Sequence, residues 1–172
     1  PLSEWRRRLA EAIAGAPGEA AVVFDLRRTG GTLDVGPLEA ELLRASREPR
    51  FVRLLAQGAL QFGPPSSLLL RLKGASSSVD LKTQGIAPVV FLARCYAIEV
   101  GSRSRATLER LEDAARAGLM DETFQASVSE AYRFLLGLRL RLQLRRLAQG
   151  KAPASEVALA ELSGIERSRL KD

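Results

Sequence analysis

Apolar residues recur every three or four positions along most of this chain, which is the spacing at which residues share one face of an α-helix. Ser3 and Thr107 stand where helix N-caps are expected, because a hydroxyl can accept a backbone N–H of the first turn. We expect a mainly α fold, an antiparallel bundle of about five to seven helices with one or two short strands near the N-terminus. The pattern predicts helices over 3–14, 35–46, from Pro49 onward, 85–100, 107–117, 121–148, 155–161 and 164–171.

One stretch near the N-terminus is typical of a strand. In "AAVVFDLR", residues 20–27, five apolar residues run without alternation into Asp25, as in a strand that is covered on both faces. The following "RRTGGT" is a turn pattern. The sequence therefore predicts a buried strand that carries one carboxylate, Asp25, to the edge of a sheet.

The predicted helix over 121–148 contains a run, "LGLRLRLQLRRL", that alternates apolar and polar residues and is therefore also compatible with a strand. Its length and the helical spacing upstream favour a helix, which would carry two apolar stripes and pack against neighbours on both sides. The first stripe is Phe124, Val128, Ala131, Leu135, Leu138 and Leu142, and the second is Tyr132, Leu136, Leu140, Leu144 and Leu147.

A row of polar residues, Arg139, Gln143 and Arg146, lies between the two stripes of this helix. Residues 133–146 hold five arginines and no acid, and the chain as a whole has a net charge of +6. Two interpretations follow. The row lines a crevice that binds phosphate or carboxylate, for which guanidinium forks are suited, or it is a solvated face whose arginine stems lie over leucines.

Composition excludes several kinds of chemistry. The chain has no histidine, which excludes imidazole bases and His-ligated metals, and one cysteine, Cys95, which excludes a disulfide within the chain. We expect Cys95 to be a small core residue.

The longest apolar run, "IAPVVFLA", is too short to span a membrane, and no signal peptide is visible, so we expect a cytoplasmic protein. Because the first residue is Pro1 and not Met, we expect either a processed N-terminus or a piece of a longer protein.

Asp25 is the main acidic candidate for chemistry. Phosphoryl and nucleotidyl transfer require several carboxylates around Mg²⁺, and the end of a strand is a natural position for one of them. The alternative is a structural carboxylate that pairs with Arg27 or caps the turn. No P-loop, dinucleotide fingerprint or Ser/His/Asp set is present.

Four further residues or groups of residues are candidates for binding an anion. Asp80 and Lys82 in "VDLK" either position a phosphate or form an ion pair, and Arg94 lies on an otherwise apolar helix, where it forms a buried ion pair or binds an anion. Arg110 follows Thr107 in the first turn of a predicted helix. The basic row on the long helix completes this set.

Four spaced segments carry a resemblance to a known family. They are "VDLKTQGIAPVVFLARCYAIEVG", "TLERLEDAARAGLM", "EAYRFLLGLRLRLQLRRLAQG" and "LSGIERSRLKD". This order resembles the nucleotidyltransferase substrate-binding domain, which forms the C-terminal region of bacterial signal-transduction proteins related to the PII-protein uridylyltransferases and accompanied by CBS domains. The resemblance implies that 79–172 is this helical domain and that 1–78 is the tail of a preceding nucleotidyltransferase domain.

The resemblance also implies roles for individual residues. Asp25 would be the third metal carboxylate of a transferase whose Gly-Ser and Asp-x-Asp motifs lie upstream, so Mg²⁺ and a nucleoside triphosphate would bind in the full-length protein. We expect this chain alone to be inactive and to need no cofactor. Leu142 and the segment at Ala154 and Ser155 depart from the family pattern. The implied substrate-binding residues are Arg27, Lys82, Arg94, Arg110, Arg139, Arg141 and Gln143.

The expected partners are a protein acceptor or a nucleotide, other domains of the same chain, and a second copy in a homodimer, but not a membrane. Two alternatives to the substrate-binding function remain. The bundle is a non-enzymatic interaction or dimerisation module, or it is a basic helical domain that binds nucleic acid. Nucleic acid is the less favoured partner because the arginines cluster inside a two-striped helix and not on an exposed recognition helix.

Overall fold

The computed structural model describes residues 2–15, 25–26, 30–32, 34–60 and 78–170. These residues are mainly helical, so the predicted fold class is confirmed. None of their helices is both long enough and apolar enough to span a membrane. The helices are α1 (Leu2–Gly15), α2 (Gly36–Ala45), α3 (Pro49–Leu60), α4 (Ala87–Glu99), α5 (Thr107–Arg116), α6 (Glu122–Ala148) and α7 (Gly164–Arg169), and the strands are β1 (Ser78–Asp80) and β2 (Glu156–Ala158).

The chain divides into two compact units. The first unit consists of Pro1–Gln61 and Val90–Ala126, and the second of Phe62–Val89 and Ser127–Asp172. The predicted boundary between residues 78 and 79 stays a prediction about domains of the longer protein.

The core of the first unit is built from helix faces. Side chains that are buried here come from α1, α2, α3 and α4, and they repeat at the three- and four-residue spacing that places them on one face of each helix. Cys95 is among them, which confirms its expected place in a core. The buried cluster consists of Leu9, Ala12, Leu38, Leu42, Ala45, Phe51, Leu55 and Cys95.

The second unit contains the two short strands. β1 and β2 pair antiparallel with Val79 opposite Val157, and both valines are buried. They pack with Leu81, with Leu162 and with the buried face of α6 at Leu138 and Leu142. The helix expected over 155–161 is therefore wrong: the pairing of Val157 with Val79 draws this segment into β2, and a 3₁₀ turn over Leu159–Glu161 follows it.

Most of the strand predicted over 20–27 lies outside the described residues. Within it, only Asp25 and Leu26 are described; Asp25 lies in a turn and Leu26 in irregular backbone. The two described strands lie elsewhere, at Ser78–Asp80 and Glu156–Ala158, and not near the N-terminus.

The ambiguous run in α6 is helical, as predicted. Leu138 and Leu142 are buried, at 2% and 5% exposure, whereas Leu140 and Leu144 are 57% and 56% exposed. A strand would place all four on one face, because its side chains alternate with a period of two. The expectation that both stripes pack against neighbours is wrong among the described residues, because the second stripe is largely exposed.

Three helix starts differ from the sequence-based expectation. Ser3 lies inside α1, which begins at Leu2, and is therefore not its N-cap. Thr107 is the first residue of α5 and not its N-cap; Ala106 occupies the cap position, without a side-chain hydrogen bond. Ahead of α4, residues Lys82–Ile86 form a π-helical turn. Asp80 stabilises this turn, since its Oδ1 accepts the backbone N–H groups of Lys82 and Thr83 at 2.9 and 3.2 Å.

Candidate functional site

Two arginines that the sequence singled out meet at one carboxylate in the first unit. Arg94 lies on α4 and Arg110 on α5, and both contact Asp25. Arg94 Nη2 donates to Asp25 Oδ2, and Arg110 Nη2 lies 2.8 Å from Asp25 Oδ1. Two helices that are consecutive in the chain thus hold the same acidic side chain, one at each oxygen.

Arg110 is the most deeply placed charge of this group. The residue is only 3% exposed, and its Nε donates to the carbonyl oxygen of Ser104 at 2.8 Å. A buried guanidinium is tolerated only when it is paired and hydrogen-bonded, because removing it from water is costly. Asp25 and the loop before α5 provide these partners.

A third arginine, Arg105, joins the group from the loop that connects α4 and α5. Its Nη2 lies 2.6 Å from Oε1 of Glu39 on α2, and its Nε donates to the carbonyl oxygen of Leu26 at 2.8 Å. We call Arg94, Arg105 and Arg110 the arginine cluster. Its three guanidinium groups face two carboxylates, Asp25 and Glu39, so the cluster carries an excess of positive charge.

The arginine cluster lines a cavity of about 60 Å³. The lining of the cavity includes apolar side chains such as Leu42 and Ile98 together with the cluster, Ser102 and Ser104. Among the described residues, the Nε of Arg94 is buried without a hydrogen-bond partner. The cavity therefore combines apolar side chains with donors, which suits a ligand that has an anionic group beside an apolar group.

The electrostatics keep Asp25 ionised. Burial opposes its charged form, but hydrogen bonds from Arg94 and Arg110 outweigh burial and lower the pKa of Asp25 below its ordinary value. In this structure Asp25 pairs with arginines, as its structural interpretation expects, but the partners are Arg94 and Arg110. Arg27 lies outside the described residues.

In the second unit, the predicted basic row on α6 contacts the loop that follows this helix. Arg139 Nε donates to Ser155 Oγ at 2.9 Å, and Arg146 Nε donates to the carbonyl oxygen of Ala152 at 2.9 Å. Each contact satisfies a polar group of a segment that has no regular secondary structure. These two arginines therefore hold the loop between α6 and β2.

The other predicted residues of this unit have separate surroundings. Arg141 forms an ion pair with Glu166 on α7, and hydrogen bonding to the backbone of Ser163 is the main reason that the pKa of Glu166 is lowered. Gln143 is half-buried on α6, and Lys82 is exposed in the π-helical turn. The structure thus brings Arg94 and Arg110 together at Asp25, but it does not gather the predicted residues of the second unit around one carboxylate.

Sequence reasoning missed Arg105 and Glu39. Arg105 lies in "GSRSRAT", which reads as a connection between helices, and Glu39 is one of many acidic residues on helix surfaces. A usable signal was the alternation of arginine and serine directly before the helix that carries Arg110, because loops next to helix starts often carry functional groups.

The described residues do not form a magnesium site by themselves. Within the part of the chain that the structure describes, no three Asp, Glu, Cys or His side chains are grouped closely enough to hold a metal ion. Asp25 already faces two guanidinium groups, which compete electrostatically with a cation.

Comparison with protein families gives one match. The domain family described as "Putative nucleotidyltransferase substrate binding domain" matches residues 49–172, which is more than half of the chain. The matched range includes all three arginines of the cluster, whereas Asp25 and Glu39 precede it. No curated protein and no solved structure matches the chain.

Proposed function

Because this chain belongs to the family of nucleotidyltransferase substrate-binding domains, we propose that it binds the anionic substrate of a nucleotidyl transfer reaction. The observation that carries the proposal is the convergence of Arg94, Arg105 and Arg110 on one cavity of the first unit. Guanidinium groups bind phosphate and carboxylate with paired, charge-assisted hydrogen bonds.

The substrate class that we propose is a nucleotide, of which one phosphate group would occupy the cavity, because about 60 Å³ is too small for the whole molecule. A phosphate group offers several anionic oxygens to the arginine cluster, and the lining also includes apolar residues such as Leu42 and Ile98. An acidic segment of a protein acceptor is the second substrate class with the required charge.

The finer part of the proposal rests on the resemblance to proteins related to the PII-protein uridylyltransferases. We infer that the full-length protein is a cytoplasmic signalling enzyme of the uridylyl-transferring type, in which an upstream domain holds Mg²⁺ and the arginine cluster contacts the tail of the triphosphate. In that protein Asp25 is proposed as a third metal carboxylate, which requires two further carboxylates upstream and release of Asp25 from at least one arginine.

Titration calorimetry tests the proposal. UTP and ATP, each with and without Mg²⁺, are titrated into the chain and into the Arg94→Gln and Arg105→Gln variants. We expect saturable binding of a triphosphate, with UTP preferred, and a loss of about tenfold in affinity for each variant, because one charge-assisted contact is removed. Arg44→Gln is the matched control, since Arg44 is an exposed arginine of the same unit that pairs with Glu41.

Three outcomes would contradict the proposal. The first is the absence of saturable binding by a correctly folded chain. The second is an equal loss in Arg44→Gln, which would indicate unspecific attraction to a basic protein. The third is a loss confined to Arg139→Gln, which would assign the anion site to the basic row of α6 in the second unit.

A further inference from the structure

The exposed stripe of α6 is an apolar surface that the substrate-binding proposal does not use. It consists of Leu136, Leu140, Leu144 and Leu147, called here the leucine stripe, which are 38%, 57%, 56% and 53% exposed. Their spacing of four, four and three residues places them within about 80° of the helix circumference and along about 16 Å of its axis. Single exposed leucines are ordinary, but four aligned ones mark an interaction surface.

The surroundings of the leucine stripe are basic. Arg133, Arg139 and Arg141 each lie three residues from a stripe leucine, which makes them its neighbours on the helix surface. Arg141 is paired with Glu166 of α7, so among the described residues the unpaired charge comes from Arg133 and Arg139. From residue 131 to residue 155 the sequence contains no acidic residue. Arg133 is exposed and, within the described ranges, has no ion-pair partner.

The shape of the leucine stripe favours a helix as its occupant. A stripe of about 80° is narrower than the apolar face of most surface helices and is close to the seam of a coiled coil. Membrane-surface helices bury a broader face and are usually anchored by Trp or Phe, whereas this stripe contains leucine alone.

The charge around the leucine stripe then indicates which kind of helix binds there. A second copy of α6 would place arginines against arginines, and such like-charge contacts oppose association. A helix with Asp or Glu beside its apolar residues would instead meet the arginines with opposite charge. The short stripe fits a small interface, which is typical of transient complexes.

We propose that the leucine stripe of α6 is a docking site for an amphipathic helix of a partner protein, whose apolar residues are flanked by Asp and Glu. All stripe residues belong to the second unit, and none of them lines the cavity of the first unit. This docking gives the substrate-binding domain a way to recruit a protein partner.

Fluorescence anisotropy with designed peptides tests this proposal on the whole chain. The probe is a labelled helical peptide of 18 residues with leucines in the spacing of the stripe and glutamates beside them, and its twin carries lysines in place of the glutamates. We expect the glutamate peptide to bind at least about tenfold more tightly than the twin, and 0.5 M NaCl to reduce this difference.

Two variants locate the site. Leu140→Gln combined with Leu144→Gln should weaken binding by about tenfold or more, because two exposed leucines lose their apolar contact. Arg133→Gln should weaken it several-fold. The control is Ile165→Gln, since Ile165 is 76% exposed on α7 of the same unit, and circular dichroism checks that every variant keeps its helix content.

Any of four results would overturn the proposal. These are equal binding of the two peptides, no binding of either, unchanged binding in the double leucine variant, and a stripe-dependent preference for another occupant. The last is measured in two ways. One is a homodimer in light scattering that Leu140→Gln dissociates. The other is cosedimentation with vesicles of phosphatidylglycerol and phosphatidylcholine that the leucine variant abolishes.

Discussion

Arg110 links the packing of the first unit to its candidate site. It is 3% exposed, contacts Asp25 at 2.8 Å and donates to the carbonyl oxygen of Ser104 at 2.8 Å. We expect Arg110→Gln to lower the free energy of unfolding by about 2–3 kcal/mol, because Ser104 loses a buried hydrogen bond and Asp25 loses one partner. Urea denaturation followed by circular dichroism measures this change.

Arg116→Gln is the matched control for this substitution. Arg116 lies on the same helix, is 70% exposed and pairs with Asp113 three residues away. Its replacement should change the free energy of unfolding by less than about 0.5 kcal/mol, as for other exposed ion pairs. Equal effects of the two substitutions would show that Arg110 contributes only as a surface charge.

The carboxyl group of Asp25 makes stability depend on pH. Its folded-state pKa is lowered by Arg94 and Arg110, so its contribution is present above its unfolded pKa of about 3.9 and is lost as the pH falls through the folded value. We expect Asp25→Asn to reduce the free energy of unfolding by about 1 kcal/mol at pH 7, a modest amount because Asp25 is 45% exposed.

The difference between wild type and Asp25→Asn should shrink as the pH is lowered from 5 to about 2.5. Urea denaturation at several pH values follows it. Glu161→Gln is the control, because Glu161 is exposed and has no ion pair among the described residues. A difference that stays constant with pH would mean that the charge of Asp25 does not stabilise the fold.

At the level of the element, α6 shows how one sequence pattern allows two structures. The run "LRLRLQL" has the period of a strand, but the residues before it keep helical spacing over several turns. A 27-residue helix forms, and the same run then places Leu138 and Leu142 inside and Leu140 and Leu144 outside. The sequence predicted the helix; which stripe would be buried depended on what packs against it.

The contrast between the buried and the exposed leucines of α6 allows a matched pair of substitutions. Leu138→Ala should lower the free energy of unfolding by about 2–5 kcal/mol, because it opens a cavity in a cluster where Leu138 is 2% exposed. Leu140→Ala should change it by less than about 1 kcal/mol, since Leu140 is 57% exposed. Thermal and urea denaturation measure both. Similar losses in the two variants would mean that the leucine stripe is covered in solution.

Short elements were harder to predict than long ones. The segment over 155–161 is too short to show a helical period. Val157 joins a strand because Val79 lies opposite it. That contact connects residues 78 positions apart in the chain, and local propensity carries no information about it. The same reason explains why Arg105 and Glu39 were missed: their partners are set by the packing of α2 beside the loop before α5.

At the scale of the molecule, Cys95 reports on the core of the first unit. It is the only cysteine in the chain, and burial raises the pKa of its thiol to about 11. In the native state at pH 8 we expect it to react with a disulfide reagent at least about 100-fold more slowly than in denaturant, because both the thiolate fraction and the access are reduced.

Substitution in the same core should accelerate this reaction. Leu55 belongs to the cluster that contains Cys95 and is 1% exposed, so Leu55→Ala should raise the native labelling rate at least about tenfold by making opening easier. Arg53→Ala is the control, because Arg53 is exposed on the same helix. Rapid labelling of the native wild type would contradict the buried position of Cys95.

The sequence by itself determined the helical class, the positions of the long helices, the exclusion of histidine chemistry and, through spaced motifs, the family. These properties are local or additive, since a helical period, a composition and a motif are all read along the chain. Only the tertiary structure decided that Arg94 and Arg110 share Asp25, that Arg105 joins them, and that Leu138 and Leu142 of α6 are buried whereas the leucine stripe is exposed. Those facts depend on residues distant in sequence, whose proximity is set by the packing of each unit as a whole.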